Sequence, residues 1–169
     1  MRILFLGDIV GLSGCLAIKN NLPEIIIKKK IDFVIVNGEN AANQGVGITE
    51  IISKQLFDCG VHVITTGNHV WDQKETASYI ETEARLLRPL NLPENSPGKG
   101  FGIYTSKKGF KIGVLNLMGN IFMKKCDDVF IAASNFLKKN NLKKNYDFLV
   151  VDFHGEITSE KMAMGHFFD

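Results

Sequence analysis

Four runs of apolar, largely β-branched residues set the frame for this chain, because each ends on a glycine or an acid followed by chemically capable side chains. Ile3-Leu4-Phe5-Leu6 leads into Gly7-Asp8, and Phe33-Val34-Ile35-Val36-Asn37 leads into Gly38-Glu39-Asn40. Val61-His62-Val63-Ile64-Thr65 leads into Gly67-Asn68-His69, and Phe148-Leu149-Val150-Val151 into Asp152-Phe153-His154-Gly155-Glu156. Short apolar runs of this kind suit strands buried on both faces. The first, Arg2 to Leu6, reads as a central strand. Helical spacing fills the gaps: Gly11 to Gly14 reads as a turn, then a helix runs toward Lys30 with Pro23 bending or interrupting it. Ile48, Ile51, Ile52, Leu56 and Phe57 mark a second helix stopped near Gly60. The order βαβαβ predicts an α/β fold with a parallel core and right-handed crossovers.

Carboxyl ends of parallel strands share one edge of a sheet, and ligands bind along that edge. Asp8, Glu39, Asn68 and His154 are thereby expected to meet in space. Carboxylates, an amide oxygen and an imidazole suit divalent ions such as manganese, iron, magnesium or zinc. Two such ions about 3.5–4 Å apart generate hydroxide near neutral pH and clamp an in-line displacement at phosphorus. His69 is placed to protonate the departing oxygen. Taken singly, each residue has a plainer reading. Asp8 fits a helix cap or turn, Glu39-Asn40 a polar turn, and His69 a stack on Trp71. Asp152 reads as a strand terminator or as a partner orienting His154. Their recurrence at successive strand ends favours a shared site. His62 and His166 read as packing residues, and Trp71 as a pocket wall or core anchor. Gly7, Gly11, Gly14 and Glu39 lack the Gly-x-Gly-x-x-Gly spacing of a dinucleotide turn.

The rest of the chain predicts a hairpin around Ser106-Lys107-Lys108-Gly109, a helix capped by Asp127 or Asp128, and a last helix after Thr158-Ser159-Glu160. With 169 residues, one domain over 1–169 is the simplest division. A net charge of +2 argues against duplex nucleic acid or a membrane surface as a bulk partner. The lysine pairs read mainly as solvated helix ends and turns, with a basic rim for phosphorylated substrates as the alternative. Cys15, Cys59 and Cys126 form no Cys-x-x-Cys pattern and read as reduced thiols. The apolar start is too short for a signal peptide or span, so a cytoplasmic location is expected.

Gly7-Asp8-Ile9-Val10-Gly11, Asn37-Gly38-Glu39-Asn40-Ala41-Ala42, Thr66-Gly67-Asn68-His69-Val70-Trp71-Asp72 and Asp152-Phe153-His154-Gly155-Glu156 resemble the calcineurin-like metallophosphoesterases. The Gly-Glu-Asn and His-Val-Trp-Asp variants look like the bacterial branch of 2′,3′-cyclic-nucleotide 2′-phosphodiesterases, the YmdB-like family. Arg88-Pro89, Asn91 and Thr158 to Ala163 also fit. The resemblance implies a layered αββα sandwich and two divalent metal ions, manganese or iron first, with magnesium as an alternative. Asp8 and Glu39 would hold the first ion, with Glu39 bridging, and Asn68 and His154 the second. Asn40 would bind the substrate phosphate and His69 would be the catalytic acid. The implied reaction opens 2′,3′-cyclic nucleotides or related phosphodiesters, and the implied assembly is a homo-oligomer. The family pattern also carries a Gly-x-His-x-His block with two more ligands, which does not occur before Asp169. The expectation is a C-terminally truncated domain, impaired or reduced to a non-catalytic binding remnant unless another chain supplies the missing part.

Overall fold

Alternation along the strands sorts the side chains into layers. The computed structural model describes residues 1–169. Chain order is β1 (Ile3–Leu6), α1 (Gly11–Lys29), β2 (Phe33–Asn37), α2 (Glu50–Asp58), β3 (Val63–Thr65), α3 (Thr76–Thr82), β4 (Leu86–Leu87), β5 (Phe101–Thr105), β6 (Lys111–Met118), α4 (Val129–Lys139), β7 (Phe148–His154) and α5 (Thr158–Phe168). One sheet has the order β1-β2-β3-β4 and is parallel throughout. The other has the order β5-β6-β7, with an antiparallel hairpin and a parallel β6–β7 pair.

Phe33 and Ile35 of β2 join Val63, Leu87, Ile112 and Val114 in a core between the two sheets. Val34 and Val36, one residue out of phase, face the opposite side with Leu22 of α1, Leu56 of α2 and Ile80 of α3. On the outer side of the second sheet, Leu115 and Leu117 pack with Val129, Ala133 and Phe136 of α4 and Met164 of α5. Two sheets back to back with helices outside give the αββα sandwich. Thr49 and Asp128 cap α2 and α4, accepting the backbone N–H of Ile52 at 3.2 Å and of Ile131 at 2.8 Å.

Several expectations are corrected here. The run Arg2 to Leu6 is expected to be central, yet β1 pairs only with β2 and Phe5 is 41% exposed. An apolar run measures burial in prospect and does not fix a strand's place in the sheet. Gly11 to Gly14 is no turn, since α1 already begins at Gly11. Pro23 does not interrupt α1. It is exposed, so the helix carbonyl that loses its partner faces water. Helix α3 and the two-residue β4 carry no sequence signal strong enough to be read. His166 is no packing residue, with its side chain 80% exposed. No helix is long and apolar enough to cross a membrane.

Candidate metal centre

The carboxyl ends of β1, β2, β3 and β7 open on one region at the rim between the two sheets. Backbone pairing continues past β1 and β2: the Ile9 N–H donates to the Asn37 carbonyl at 3.0 Å and the Gly11 N–H to the Asn40 carbonyl at 2.8 Å. That continuation sets Asp8 beside Glu39 and Asn40. From the second sheet, the register Met118↔His154 ends β7 level with the end of β6. His154 is therefore the last residue of a strand rather than the loop residue the sequence suggested.

Ligand-capable atoms of Asp8, Glu39 and His154 all lie within 4.8 Å of one another. His154 Nε2 is 3.1 Å from Glu39 Oε1 and 3.0 Å from Asn68 Oδ1. Asn40 Nδ2 donates to Glu39 Oε1 at 3.2 Å and to Asp8 Oδ2 at 3.4 Å. The backbone N–H of His69 reaches Glu39 Oε2 at 3.4 Å. The side chains of Asp8, Glu39, Asn40, Asn68 and His154 are thus gathered in one place, while His69 joins them through its backbone N–H. Glu39 is buried and Asp8 exposed, which gives the cluster a closed floor and an open mouth. Gly67 allows this closeness: a Cβ there would overlap both the Glu39 carboxylate and the His154 ring.

Electrostatics match the crowding of acids. Burial opposes a charge on His154, but Glu39, Asp8 and Asp152 outweigh it and raise its pKa above the ordinary imidazole value. Burial pushes the Asp152 carboxyl up, against the opposing pull of Thr65 and Asn37. Asp152 does not bond to His154, as a positioning partner would. It accepts instead from Asn37 Nδ2 at 3.1 Å, across the gap between the sheets.

Three contributors escaped the sequence reading. Asn37 accepts the Glu39 backbone N–H at 3.2 Å through Oδ1 while binding Asp152, so it fixes the approach of Glu39. Asp72 lies 2.6 Å from His69 Nδ1. That hydrogen bond, with help from Lys124, holds the Asp72 carboxyl below the usual carboxylate range despite partial burial. Lys124 binds the other Asp72 oxygen at 3.0 Å. The His-x-x-Asp spacing was the one available signal for Asp72. Lys124 comes from a distant loop and left none. Trp71, half-buried, packs against the core beneath α1 and α2, as an anchor.

A donor set of two carboxylates, an imidazole and an amide oxygen fits a hard-to-borderline divalent cation. His154 Nε2 now bonds to Asn68 and Glu39 oxygens, which a cation would bind in place of the proton.

Comparison with known proteins bears on the family and the fold. The family model described as YmdB-like protein matches residues 4–169. A Bacillus subtilis protein named 2′,3′-cyclic-nucleotide 2′-phosphodiesterase is 43% identical over 169 residues, covering 100% of this chain and 62% of the relative. A solved structure of a hypothetical protein from Thermus thermophilus superposes with a TM-score of 0.90 at 40% identity, over 100% of this chain and 64% of that one. A second, described as a novel phosphatase from Mycoplasma pneumoniae, gives 0.89 at 36% identity, over 100% and 60%. The chain therefore spans under two thirds of the length of these relatives. With its fold, its clustered donors and a family match over nearly every residue, the chain belongs to the YmdB-like family.

Proposed function

We propose that the chain carries the metal-binding half-site of a divalent-metal phosphodiesterase acting on 2′,3′-cyclic nucleotides or related small phosphodiesters. One observation carries the reading: Asp8, Glu39 and His154 offer donor atoms within 4.8 Å of one another, beside Asn68 Oδ1. The names of the relatives support the reaction class. Asp8 and Glu39 would hold one ion and Asn68 and His154 a second, with Glu39 between them; manganese or iron suits the set, and magnesium is the alternative. Bound there, the ions would supply Lewis acidity at the phosphoryl oxygens and lower the pKa of water.

The chain's own residues supply the rest. Asn40 turns an amide N–H toward the acids, where a phosphate oxygen competing for that donor would be oriented. His69 has Nδ1 engaged by Asp72, which leaves Nε2 as the face that can give a proton. Water adds to phosphorus and releases a proton to solvent, the bond from phosphorus to the ribose O2′ breaks, O2′ takes a proton from His69, and His69 regains one from solvent after the product leaves. Asp72 fixes the orientation of the ring through Nδ1, and Lys124 holds the other Asp72 oxygen.

The test is hydrolysis of 2′,3′-cyclic AMP and bis(p-nitrophenyl) phosphate with added manganese. Turnover should vanish with a chelator and in Asp8→Ala or Asn68→Ala. Turnover indifferent to chelator and to both substitutions would overturn the proposal. Manganese binding at these residues without turnover would instead mark a non-catalytic remnant.

A further inference from the structure

The loop between β6 and α4 holds an aromatic residue in an unfavourable position. Phe122 is 85% exposed, and its φ of 61° lies in the left-handed region that bulky side chains rarely adopt. Neither property helps the fold. An exposed ring gives up burial, and left-handed backbone at a non-glycine residue is kept only where surrounding structure imposes it.

The loop is anchored on both sides of this residue. At the near end, the Gly119 N–H donates to the carbonyl of His154 at 2.8 Å. The buried Glu160 carboxylate accepts the Asn120 N–H at 2.7 Å, and Asn120 Oδ1 accepts the Val129 N–H at 3.0 Å. Just past the tip, Met123 packs into the core under the first sheet. At the far end, Lys124 is tied to Asp72, and Asp72 to His69. The loop therefore runs from the strand end that carries His154 to the loop that carries His69, with Phe122 fixed outward between its two anchorages.

We infer that Phe122 is the stacking surface for the base of a nucleotide whose phosphate lies at the metal centre, and so a specificity-determining residue. This inference rests on the phosphodiesterase reading above. An exposed π face on a loop tied both to the His154 carbonyl and to the Asp72–His69 pair suits a flat aromatic ligand group. Stacking tolerates any base, because every base presents a π face. Phosphate binding at the centre would be common to all phosphodiesters, while Phe122 would favour those carrying a base.

Calorimetric titration of the manganese-loaded chain with adenosine 3′-monophosphate and with inorganic phosphate tests it, using Phe122→Ala, Phe122→Trp and Phe122→Gly. Adenosine 3′-monophosphate should bind about tenfold more weakly to the alanine and glycine variants, as loss of one stacking contact implies. Phosphate affinity should hold, and tryptophan should restore nucleotide binding. Glycine relieves the backbone, so that variant should melt at a higher temperature than wild type while binding the nucleotide worse, a pairing no structural role gives. Unchanged nucleotide affinity in Phe122→Ala, or equal losses for nucleotide and phosphate, would overturn the inference alone. Wild type binding the nucleotide no better than phosphate would do the same. A chain binding neither ligand would overturn the phosphodiesterase reading, and this inference with it.

Discussion

Asn37, the last residue of β2, donates to Asp152 Oδ2 at 3.1 Å across the interface of the two sheets, directly behind the candidate metal centre. The same side chain receives the Glu39 backbone N–H at 3.2 Å. One amide thus joins the sheets and sets the acid between them. Asn37→Ala removes no proposed ligand, yet should weaken manganese binding about 10- to 100-fold, the usual effect of losing a group that orients a ligand. A manganese titration by calorimetry reads this directly; unchanged affinity would show that Glu39 is positioned without Asn37.

The role given to His69 depends on the leaving group. An alkoxide such as ribose O2′ needs a proton, whereas p-nitrophenolate departs without one. His69→Ala should therefore lower turnover of 2′,3′-cyclic AMP about 10²- to 10⁴-fold while affecting bis(p-nitrophenyl) phosphate far less. Asp72→Asn should show the same pattern, more weakly. Equal losses on both substrates would mean that His69 acts in binding and not as an acid.

Much of this architecture can be read from residue patterns, and the failures have physical causes. Phe33 to Val36 is an unbroken apolar run and is fully buried on both faces, because β2 lies inside its sheet with helices on one side and the second sheet on the other. Ile3 to Leu6 looks the same in sequence but forms an edge, since apolarity carries no information about which strands pair. Leu86-Leu87 is too short to show any period. At the site, Asp8, Glu39, Asn68 and His154 stand out because each sits at the end of an apolar run. Lys124 and Asn37 do not. Lys124 reaches Asp72 from a loop whose course depends on the whole fold, and Asn37 reads as the ordinary polar end of a strand.

His62 connects the fold to pH. Its ring stacks on Phe33 at 4.8 Å, and Nδ1 accepts the Val34 N–H at 3.1 Å, which requires that nitrogen to be unprotonated. Burial, with Lys107 adding, outweighs the Gly60 carbonyl and lowers the His62 pKa below 6.5. The unfolded chain then binds more protons just below pH 6.5, so this contribution to stability is complete above 6.5 and is lost as pH falls toward the folded pKa. Denaturant unfolding between pH 7.5 and 5.5 should show stability falling more steeply in wild type than in His62→Gln. The difference is bounded by about 1.4 kcal/mol per pH unit for one proton. Parallel curves would mean that His62 titrates alike in both states.

The measurement that bears most directly on the central claim is anomalous diffraction from crystals soaked in manganese chloride. The proposed ligand set predicts manganese at the rim between the sheets, one ion about 2.0–2.6 Å from oxygens of Asp8 and Glu39 and a second at the same range from Nε2 of His154 and Oδ1 of Asn68. Manganese peaks only elsewhere on the molecule, with His154 Nε2 still hydrogen-bonded to Glu39 and Asn68, would contradict it.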